Sequence, residues 1–337
     1  MRRINRDQRI ENSLKTTHRG NTLFDDVYIE HNSLPDLNFE DIDTTVDFLG
    51  REISFPLLIN AMTGGTEKGC EINESLYMLS KEFNIPMEVG SQSVAVEDKV
   101  CKDLFIGTDN SIDDQNAIVI ANLNANDSMA HIKAAMEMVN AEVISLYINP
   151  AQELVTKGGE RNFEGILSNI KMAVKENPGK IMVKEVGFGM SEEVIKKLVD
   201  SGVNMINVSG YGGTNFVEIE NLRNLEYDFS DLYDWGVPTA KSIINARKVS
   251  DDIVLISSGG IKNSMDIVKS LILGADYVGI SGELLKYLLH GGYDYARAYL
   301  EEIIYKTKMI MLLLGARNIE ELKNTPYKIT GRLKEII

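Results

Sequence analysis

Cysteine is nearly absent from this sequence. Only two of the 337 residues are cysteines, Cys70 and Cys101, and they do not form a CxxC pair. A disulfide framework and a thiolate zinc site both need more cysteines at closer spacing. We therefore expect neither, and we treat both residues as free thiols.

Histidine is also scarce, with four residues in the chain. None follows a predicted strand, and none shows metal-ligand spacing to another: His18, His31, His131 and His290. We assign none of them to catalysis. His131 is predicted to be an exposed helix residue.

The sequence has no long apolar run and no excess of basic residues. The longest apolar runs, such as residues 309–314, fall far short of the ~20 residues that a membrane span requires. Residues 1–5 lack the apolar core of a signal peptide. Asp and Glu (50) outnumber Lys and Arg (35), which gives a formal charge of −15. Because nucleic acids and anionic membranes bind dense basic patches, we expect neither partner. From the apolar runs and the N-terminal residues we expect a cytoplasmic protein.

What the sequence does contain is a repeated pattern of apolar runs and amphipathic segments. Eight β-rich runs recur, and they begin near Leu57, Met87, Ile118, Val143, Ile181, Met205, Ile253 and Asp276. Apolar strands separated by helices indicate a parallel sheet that is covered on both faces. Eight such strands favour closure into an α/β fold of the TIM (β/α)8 barrel type.

The pattern also predicts how the chain is divided. We predict a single domain over residues 1–337, with a barrel core at about 56–292, an N-terminal extension at 1–55 and C-terminal helices at 293–337. Ser191 and Asn263 precede two of the predicted helices and are good N-cap residues. Two long loops, at 92–116 and 210–236, follow strands and are expected to help build the active site.

Small, polar and charged residues cluster where the predicted strands end, which is where barrel enzymes place their chemistry. These residues lie at 61–65, 90–92, 122, 149–153, 184–185, 209–215, 258–262 and 279–282. The last two turns contain Gly259, Gly260, Ile261, Lys262, Ser281 and Gly282. Glycine lets backbone N–H groups approach an anion closely, so these turns predict a phosphate site. The alternative is that glycine only tightens both turns.

Lys184 and Glu153 are the most informative charged residues. Lys184 ends an apolar strand, and a lysine there needs an anionic partner or a catalytic task. It could form a Schiff base or donate a hydrogen bond to an electron-rich cofactor ring. The structural alternative is a salt bridge to Glu185, although strand neighbours point to opposite faces. Glu153 follows Gln152 and could be an oxygen ligand of Mg²⁺ or simply a solvated carboxylate.

An ordered set of motifs resembles one family. The motifs are SLPDL (33–37), INAMTGG (59–65), GSQ (90–92), NPAQE (149–153), VKEVGFGM (183–190), SGYGGTNF (209–216), DWGVPTA (234–240), SGGI (258–261) and LGAR (314–317). On these motifs the chain resembles type 2 isopentenyl diphosphate isomerase, an FMN-dependent family of isoprenoid biosynthesis. The resemblance covers nearly the whole chain.

The resemblance implies a barrel that binds FMN with reduced flavin as acid and base, NADPH as the reductant of the flavin, and Mg²⁺ on the diphosphate. The implied FMN contacts are Met62, Thr63, Gly64, Ser91, Asn122, Lys184, Ser209, Thr214, Gly259, Gly260, Ile261, Lys262, Ser281 and Gly282. Lys184 would stabilise electron density on the reduced ring. The implied substrate contacts are Arg6, Arg9, Ser91, Gln92, Tyr147, Asn149 and Gln152. Gln152 would face the alkene, and Glu153 would hold the metal.

The resemblance also implies a homo-oligomer, as a dimer, tetramer or octamer, and it is imperfect on the substrate side. Where the family has an Arg-Lys pair followed by a histidine, this chain has Asn5, Arg6 and Arg9. Tyr147 stands where the family commonly has histidine, and its ordinary pKa of about 10 makes it a different partner from imidazole.

Two other hypotheses stay open at the level of sequence. One is an FMN-dependent oxidoreductase of the 2-hydroxy-acid oxidase type, which usually needs a histidine base and an arginine at strand ends. We find neither at the predicted strand ends. The other is a flavin-binding paralogue without isomerase activity, suggested by Tyr147 and the altered N-terminal segment.

Overall fold

Three small units precede the central sheet. The structure, a computed structural model, describes residues 2–18, 20–97, 117–223 and 226–337, with side chains from residue 7 onward. Helix α1 (Arg2–Lys15) comes first and is followed by strand β1 (Val27–Ile29). Strands β2 (Val46–Phe48) and β3 (Arg51–Ile53) then form an antiparallel hairpin. The free thiol prediction for Cys101 lies outside the described residues.

Eight parallel strands close into a barrel. They are β4 (Leu57–Ile59), β5 (Met87–Glu88), β6 (Val119–Asn124), β7 (Val143–Tyr147), β8 (Ile181–Lys184), β9 (Met205–Asn207), β10 (Val254–Ser257) and β11 (Tyr277–Ile280). The pairing of β11 with β4, which places Val278 opposite Leu57, closes the sheet. Each strand begins within one residue of its predicted position. The (β/α)8 prediction is therefore confirmed.

Helices lie between the barrel strands along the chain. They are α2 (Glu67–Phe83), α3 (Ser93–Glu97), α4 (Met129–Met138), α5 (Pro150–Val155), α6 (Ile166–Glu176), α7 (Glu192–Asp200), α8 (Phe216–Asn221), α9 (Thr239–Val249) and α10 (Ser264–Ile272). Ser191 and Asn263 cap α7 and α10, because their side chains accept hydrogen bonds from the Val194 and Asp266 N–H groups. Within the described ranges, no helix has an apolar stretch that could cross a bilayer.

The end of the chain departs from the predicted run of helices. Helix α11 (Gly282–Leu314) is kinked at Gly292, and α12 (Ile319–Lys323) follows it. Strand β12 (Tyr327–Ile329) then pairs antiparallel with β1, and α13 (Gly331–Ile336) comes last. The strand was missed because a three-residue segment takes its structure from a distant partner, which periodicity within the segment cannot show.

The two ends of the barrel differ in chemistry. The hairpin β2–β3 covers the N-terminal end. There the rings of Phe48 and Tyr277 pack edge to face, with their centroids 4.9 Å apart. This apolar layer consists of Phe48, Ile53, Leu58, Ile120, Val143, Met182, Met205, Ile256 and Tyr277. Polar side chains lie above it, toward the C-terminal ends of the strands. The fold thus directs the candidate site to the end that barrel enzymes use.

Candidate active site

A cavity of about 320 Å³ lies among the C-terminal ends of the barrel strands. This volume falls within the usual range of small-molecule sites. Nineteen of the residues predicted from the sequence line it: Arg9, Met62, Thr63, Gly64, Ser91, Asn122, Tyr147, Asn149, Gln152, Glu153, Lys184, Ser209, Thr214, Gly259, Gly260, Ile261, Lys262, Ser281 and Gly282. The structure therefore brings together, around one space, residues from all eight strand ends and the N-terminal segment.

Two predicted substrate residues are not placed in this wall. Gln92 is fully buried, and its amide donates to the Ala135 carbonyl and accepts the Asn122 N–H, both at 2.9 Å. It therefore supports the backbone of a cavity residue, which corrects the prediction that it faces the substrate. The sequence gives no signal that the Gln92 side chain is buried away from the cavity while its neighbour Ser91 lines it. The side chains of Asn5 and Arg6 lie outside the part of the chain that the structure describes.

Lys184 forms a buried ion pair at the centre of the barrel. Its Nζ lies 2.8 Å from each carboxylate oxygen of Glu88, and both side chains are almost completely buried. Glu88 also accepts the Ala61 N–H at 3.2 Å. The partner of Lys184 is thus Glu88 rather than Glu185. Glu88 lies inside an apolar strand, and this could have indicated a buried ion pair from sequence, since glutamate is rarely buried without a partner.

Glu185 has a separate role beside the same cavity. One of its carboxylate oxygens accepts the backbone N–H groups of Val186 and Gly187 at 2.7 Å and of Phe188 at 2.5 Å. Burial nevertheless raises the pKa of Glu185 to about 7, against the opposing effect of these N–H groups. The carboxyl group therefore fixes the turn after β8 and titrates near neutral pH.

Two buried polar atoms of the wall have no hydrogen-bond partner within the described protein. They are Thr63 Oγ1 and Asn122 Oδ1. Leaving such an atom unsatisfied costs roughly 1–3 kcal/mol. A ligand with hydrogen-bonding groups would satisfy both atoms, so the wall fits a polar molecule rather than a purely apolar one.

The glycine turns pack against each other so closely that only glycine fits. A Cβ atom on Gly213 would lie 2.3 Å from the Gly260 nitrogen, and Gly260 itself has a φ of +78°. Beside them α11 begins at Gly282, and the Ser281 side chain does not cap it. The first-turn N–H groups of a helix can hold an anion, and Lys262 adds positive charge to this wall, whereas Lys286 is paired with Glu283 at 3.5 Å.

An amide and a carboxylate meet on the opposite side of the cavity. Asn149 Nδ2 donates to Gln152 Oε1 at 3.1 Å and to Glu153 Oε1 at 2.9 Å. The other oxygen of Glu153 accepts the Glu160 N–H at 2.9 Å. Across the described residues, no cluster of three or more His, Cys, Asp or Glu side chains could hold a metal. Glu153, the metal ligand predicted from the sequence, lines the cavity but belongs to no such cluster.

Helix α1 lies at the mouth of the cavity because α8 holds it there. Arg9 Nε is 2.6 Å from Glu220 Oε1, and Asn12 donates to the Ile219 carbonyl at 3.3 Å. Glu218 accepts the Thr17 N–H at 2.8 Å. These contacts bring a guanidinium group to the cavity wall from a segment that is distant in sequence.

Several cavity residues, among them Ser13, Phe216 and Lys286, were not predicted from the sequence, and His18 is the most informative of them. Its Nε2 lies 3.1 Å from the Tyr211 hydroxyl, which donates to Asp234 at 2.6 Å. Burial, together with Asp234, raises the pKa of Tyr211 to about 12. The residue was set aside because it does not end a strand, and only the docking of the N-terminal segment brings it to the site.

Comparison with known proteins gives a consistent result. A family model described as FMN-dependent dehydrogenase matches residues 96–328. The isopentenyl-diphosphate delta-isomerase of Listeria innocua is 39% identical over 312 residues, covering 92% of this chain and 86% of that protein. The protein of the same name from Bacillus pumilus is 40% identical over 329 residues, covering 96% and 91%.

Solved structures agree with the fold. A substituted mandelate oxidase with a monooxide FMN adduct superposes with a TM-score of 0.65 at 15% identity, over 92% of this chain and 90% of that one. A substituted flavocytochrome b2 gives 0.67 at 16% identity, over 98% and 84%. At such identity the likeness concerns the barrel alone, whereas the relatives from Listeria and Bacillus confirm the family that the motifs predicted. The chain belongs to the isopentenyl-diphosphate delta-isomerase family, on a barrel of the FMN-dependent dehydrogenase type.

Proposed function

We propose that this chain interconverts isopentenyl diphosphate and dimethylallyl diphosphate, with FMN at the strand ends and Mg²⁺ on the diphosphate. The observation that supports this most is the arrangement of the cavity. One side has glycine turns and a helix N-terminus suited to a phosphate, and the other has Gln152 and Glu153 held by Asn149. The buried Lys184 lies at the end of β8 among the residues that line this same cavity.

The residues present fit FMN. Thr63 Oγ1 and Asn122 Oδ1 are buried polar atoms that a flavin ring could satisfy, and the turns at Gly260 and Gly282 suit its phosphate. When bound and reduced, FMN supplies the acid and base that the isomerisation needs. Lys184 would stabilise electron density on the ring, and NADPH is the proposed reductant. Glu153 would hold Mg²⁺, and Arg6 and Arg9 would neutralise diphosphate charge.

The reaction itself is balanced without net oxidation. One proton is added to the terminal alkene carbon, and one is lost from the methylene carbon next to the alkene. The double bond thereby shifts by one position toward the diphosphate. Gln152 is neutral and 7% exposed, so it can orient the alkene without competing as a strong base. Among the described strand-end residues, no histidine lines the cavity to act as that base.

An FMN-dependent oxidase of 2-hydroxy acids is the second candidate, favoured by the likeness of the barrel to mandelate oxidase. A histidine and an arginine do line the cavity, His18 and Arg9, but both come from the N-terminal segment. His18 contacts Tyr211, and Arg9 is paired with Glu220. Neither has the strand-end position that this chemistry uses, so the isomerase remains the better supported function.

Anaerobic incubation with FMN, NADPH, Mg²⁺ and isopentenyl diphosphate tests the proposal. We expect dimethylallyl diphosphate to accumulate, and no conversion under these reducing conditions would refute the isomerase. A thermal shift measurement separates the remaining case of an inactive flavin-binding paralogue. An active site should be stabilised by the diphosphate only when Mg²⁺ is present, because a ligand that binds the folded state raises its stability. Sedimentation analysis would test the homo-oligomer that the family resemblance implies.

A further inference from the structure

A continuous row of hydrogen-bonding side chains leads from the cavity to the protein surface. The Tyr147 hydroxyl is 3.1 Å from Ser91 Oγ, which is 3.3 Å from Ser93 Oγ. Ser93 Oγ donates to one oxygen of Asp127 at 2.9 Å, and the other oxygen lies 2.9 Å from His131 Nδ1. Four consecutive contacts of hydrogen-bond length therefore join these five side chains.

The two ends of this row lie in different environments. Tyr147 and Ser91 line the cavity, whereas the His131 side chain is 36% exposed on α4. Asp127 is 11% exposed, and its position is fixed because it also accepts the Asn124 N–H at 3.1 Å. The row thus crosses the barrel wall from the candidate active site to solvent.

The chemistry of the five groups suits proton transfer. Each hydroxyl can accept a proton on one side while it donates another on the opposite side. Asp127 can accept a proton from Ser93, and imidazole can exchange protons with water near neutral pH. Tyr147, Ser91 and Ser93 stay neutral, because each hydroxyl oxygen gains one proton as it gives up its own.

We propose that Tyr147, Ser91, Ser93, Asp127 and His131 form a proton relay between the active site and solvent. This inference rests on the proposed isomerase function, in which one proton enters the substrate and one leaves it. A proton released in the cavity binds the Tyr147 oxygen while the Tyr147 proton passes to Ser91. Ser93 then passes its proton to the Asp127 oxygen that it contacts, and the imidazolium form of His131, which donates from Nδ1 to the other oxygen, releases its Nε2 proton to water. The reverse sequence delivers a proton, so no proton is gained or lost by the protein.

The relay gives Tyr147 a function that fits its replacement of histidine. A histidine could hold an exchangeable proton within the site, whereas a tyrosine hydroxyl passes a proton on only when a second group receives it. Here the histidine of the row lies on α4 rather than in the cavity. Ser93, Asp127 and His131 would act through Tyr147 and Ser91 rather than on the substrate directly.

Deuterium uptake from D₂O tests the relay. The flavin-loaded enzyme, reduced and supplied with Mg²⁺ and isopentenyl diphosphate, is followed by mass spectrometry of the product and the recovered substrate. In Ser93→Ala and His131→Ala we expect deuterium uptake to fall by about tenfold. This is a smaller effect than the 10²–10⁴-fold loss that follows removal of a general acid or base itself. Added imidazole should restore uptake in His131→Ala, which a purely structural role would not allow.

Two matched variants control for changes in packing. Ser93→Thr keeps the hydroxyl group, and Lys133→Ala removes an exposed side chain from the same helix as His131. Both should take up deuterium as the parent does, with unchanged melting temperature and flavin spectrum. Unchanged uptake in either Ser93→Ala or His131→Ala, or a loss in His131→Ala that imidazole does not restore, would overturn the relay alone. No conversion by the parent enzyme would refute the proposed function and the relay together.

Discussion

The buried pair of Lys184 and Glu88 decides how the residues at the barrel centre behave. Two opposite charges out of water are tolerated only when each has the other, and both contacts are 2.8 Å. The pair fixes the ammonium group where the strands end. The sequence predicted that Lys184 is unusual, but it could not show the partner, because β5 and β8 are far apart along the chain.

Replacing Lys184 with alanine should therefore have two separable effects. Removing one member of a buried pair leaves the other charge unpaired, and we expect the free energy of unfolding to fall by about 3–5 kcal/mol. Flavin reduction by NADPH should also slow. Urea unfolding and stopped-flow reduction measure the two effects.

The double variant Lys184→Ala with Glu88→Leu provides the control. It should recover most of the stability, because no unpaired charge remains, but it should not recover the rate of flavin reduction. Recovery of both quantities would show that Lys184 has only a structural role.

Gln152→Ala should leave FMN bound and remove turnover. The Gln152 side chain lies on the α5 side of the cavity with Asn149 and Glu153, away from the glycine turns expected to hold the phosphate. Flavin absorption and the isomerase assay measure the two properties. Glu153→Gln is the matched variant and should instead change the dependence of turnover on Mg²⁺. Retained turnover in Gln152→Ala would refute the role given to this amide.

Glu185 should make stability depend on pH. Its folded-state pKa of about 7 lies above its ordinary value of 4.5, so the folded protein holds this proton more tightly than the unfolded chain does. The resulting stabilisation is complete below pH 4.5 and is lost as the pH rises toward 7. It amounts to about 3 kcal/mol.

Denaturant unfolding of the parent and of Glu185→Gln across this pH range measures the effect. The glutamine cannot titrate, so its stability should lack this fall, and the stability of the parent relative to Glu185→Gln should decrease by about 3 kcal/mol as the pH rises from 4.5 to 7. Parallel curves would contradict the assignment.

At the level of elements, the contact between α1 and α8 determines whether the N-terminal segment completes the cavity. Glu220 is 2% exposed and pairs with Arg9 at 2.6 Å and with Arg223 at 2.9 Å. Glu220 therefore orients two guanidinium groups, and that of Arg9 lies at the cavity wall. Asn12 and Thr17 add hydrogen bonds to α8, and Ile10 packs into the hydrophobic core.

Glu220→Ala should free the Arg9 side chain, loosen α1 and raise the KM for isopentenyl diphosphate. We expect an increase of about tenfold, equivalent to about 1.4 kcal/mol of binding, with the flavin still bound. Limited proteolysis should cut the N-terminal segment faster. Glu193→Ala removes a carboxylate from an exposed pair with Lys197 and should change neither quantity. An unchanged KM in Glu220→Ala would show that Arg9 does not act on the substrate.

The elements also show what could be predicted from sequence. The barrel strands were located within one residue because each is a short apolar run with its own turn signal. The pairing of β12 with β1, the docking of α1 on α8 and the position of His18 were not predictable in this way. Each depends on contacts between segments far apart in the chain, and nothing in the local pattern of either segment encodes them.

At the scale of the whole molecule, the barrel separates structural and chemical tasks between its ends. The hairpin β2–β3 seals an apolar N-terminal end, which contributes stability, while the C-terminal end holds the cavity. Strand-end residues could be predicted because this division is general to the fold. The choice of function could not be drawn from the fold, since oxidases share the barrel, and it depends on the motifs and on the particular side chains in the wall.

The proposed isomerase shifts the double bond of its substrate without net oxidation. The most direct test follows product formation and flavin absorbance together in anaerobic enzyme whose FMN has been reduced. We expect many turnovers to dimethylallyl diphosphate for each flavin, while the absorbance of reduced FMN stays constant. Reoxidation of the flavin in step with substrate consumption, or a reduced flavin with no product at all, would contradict it.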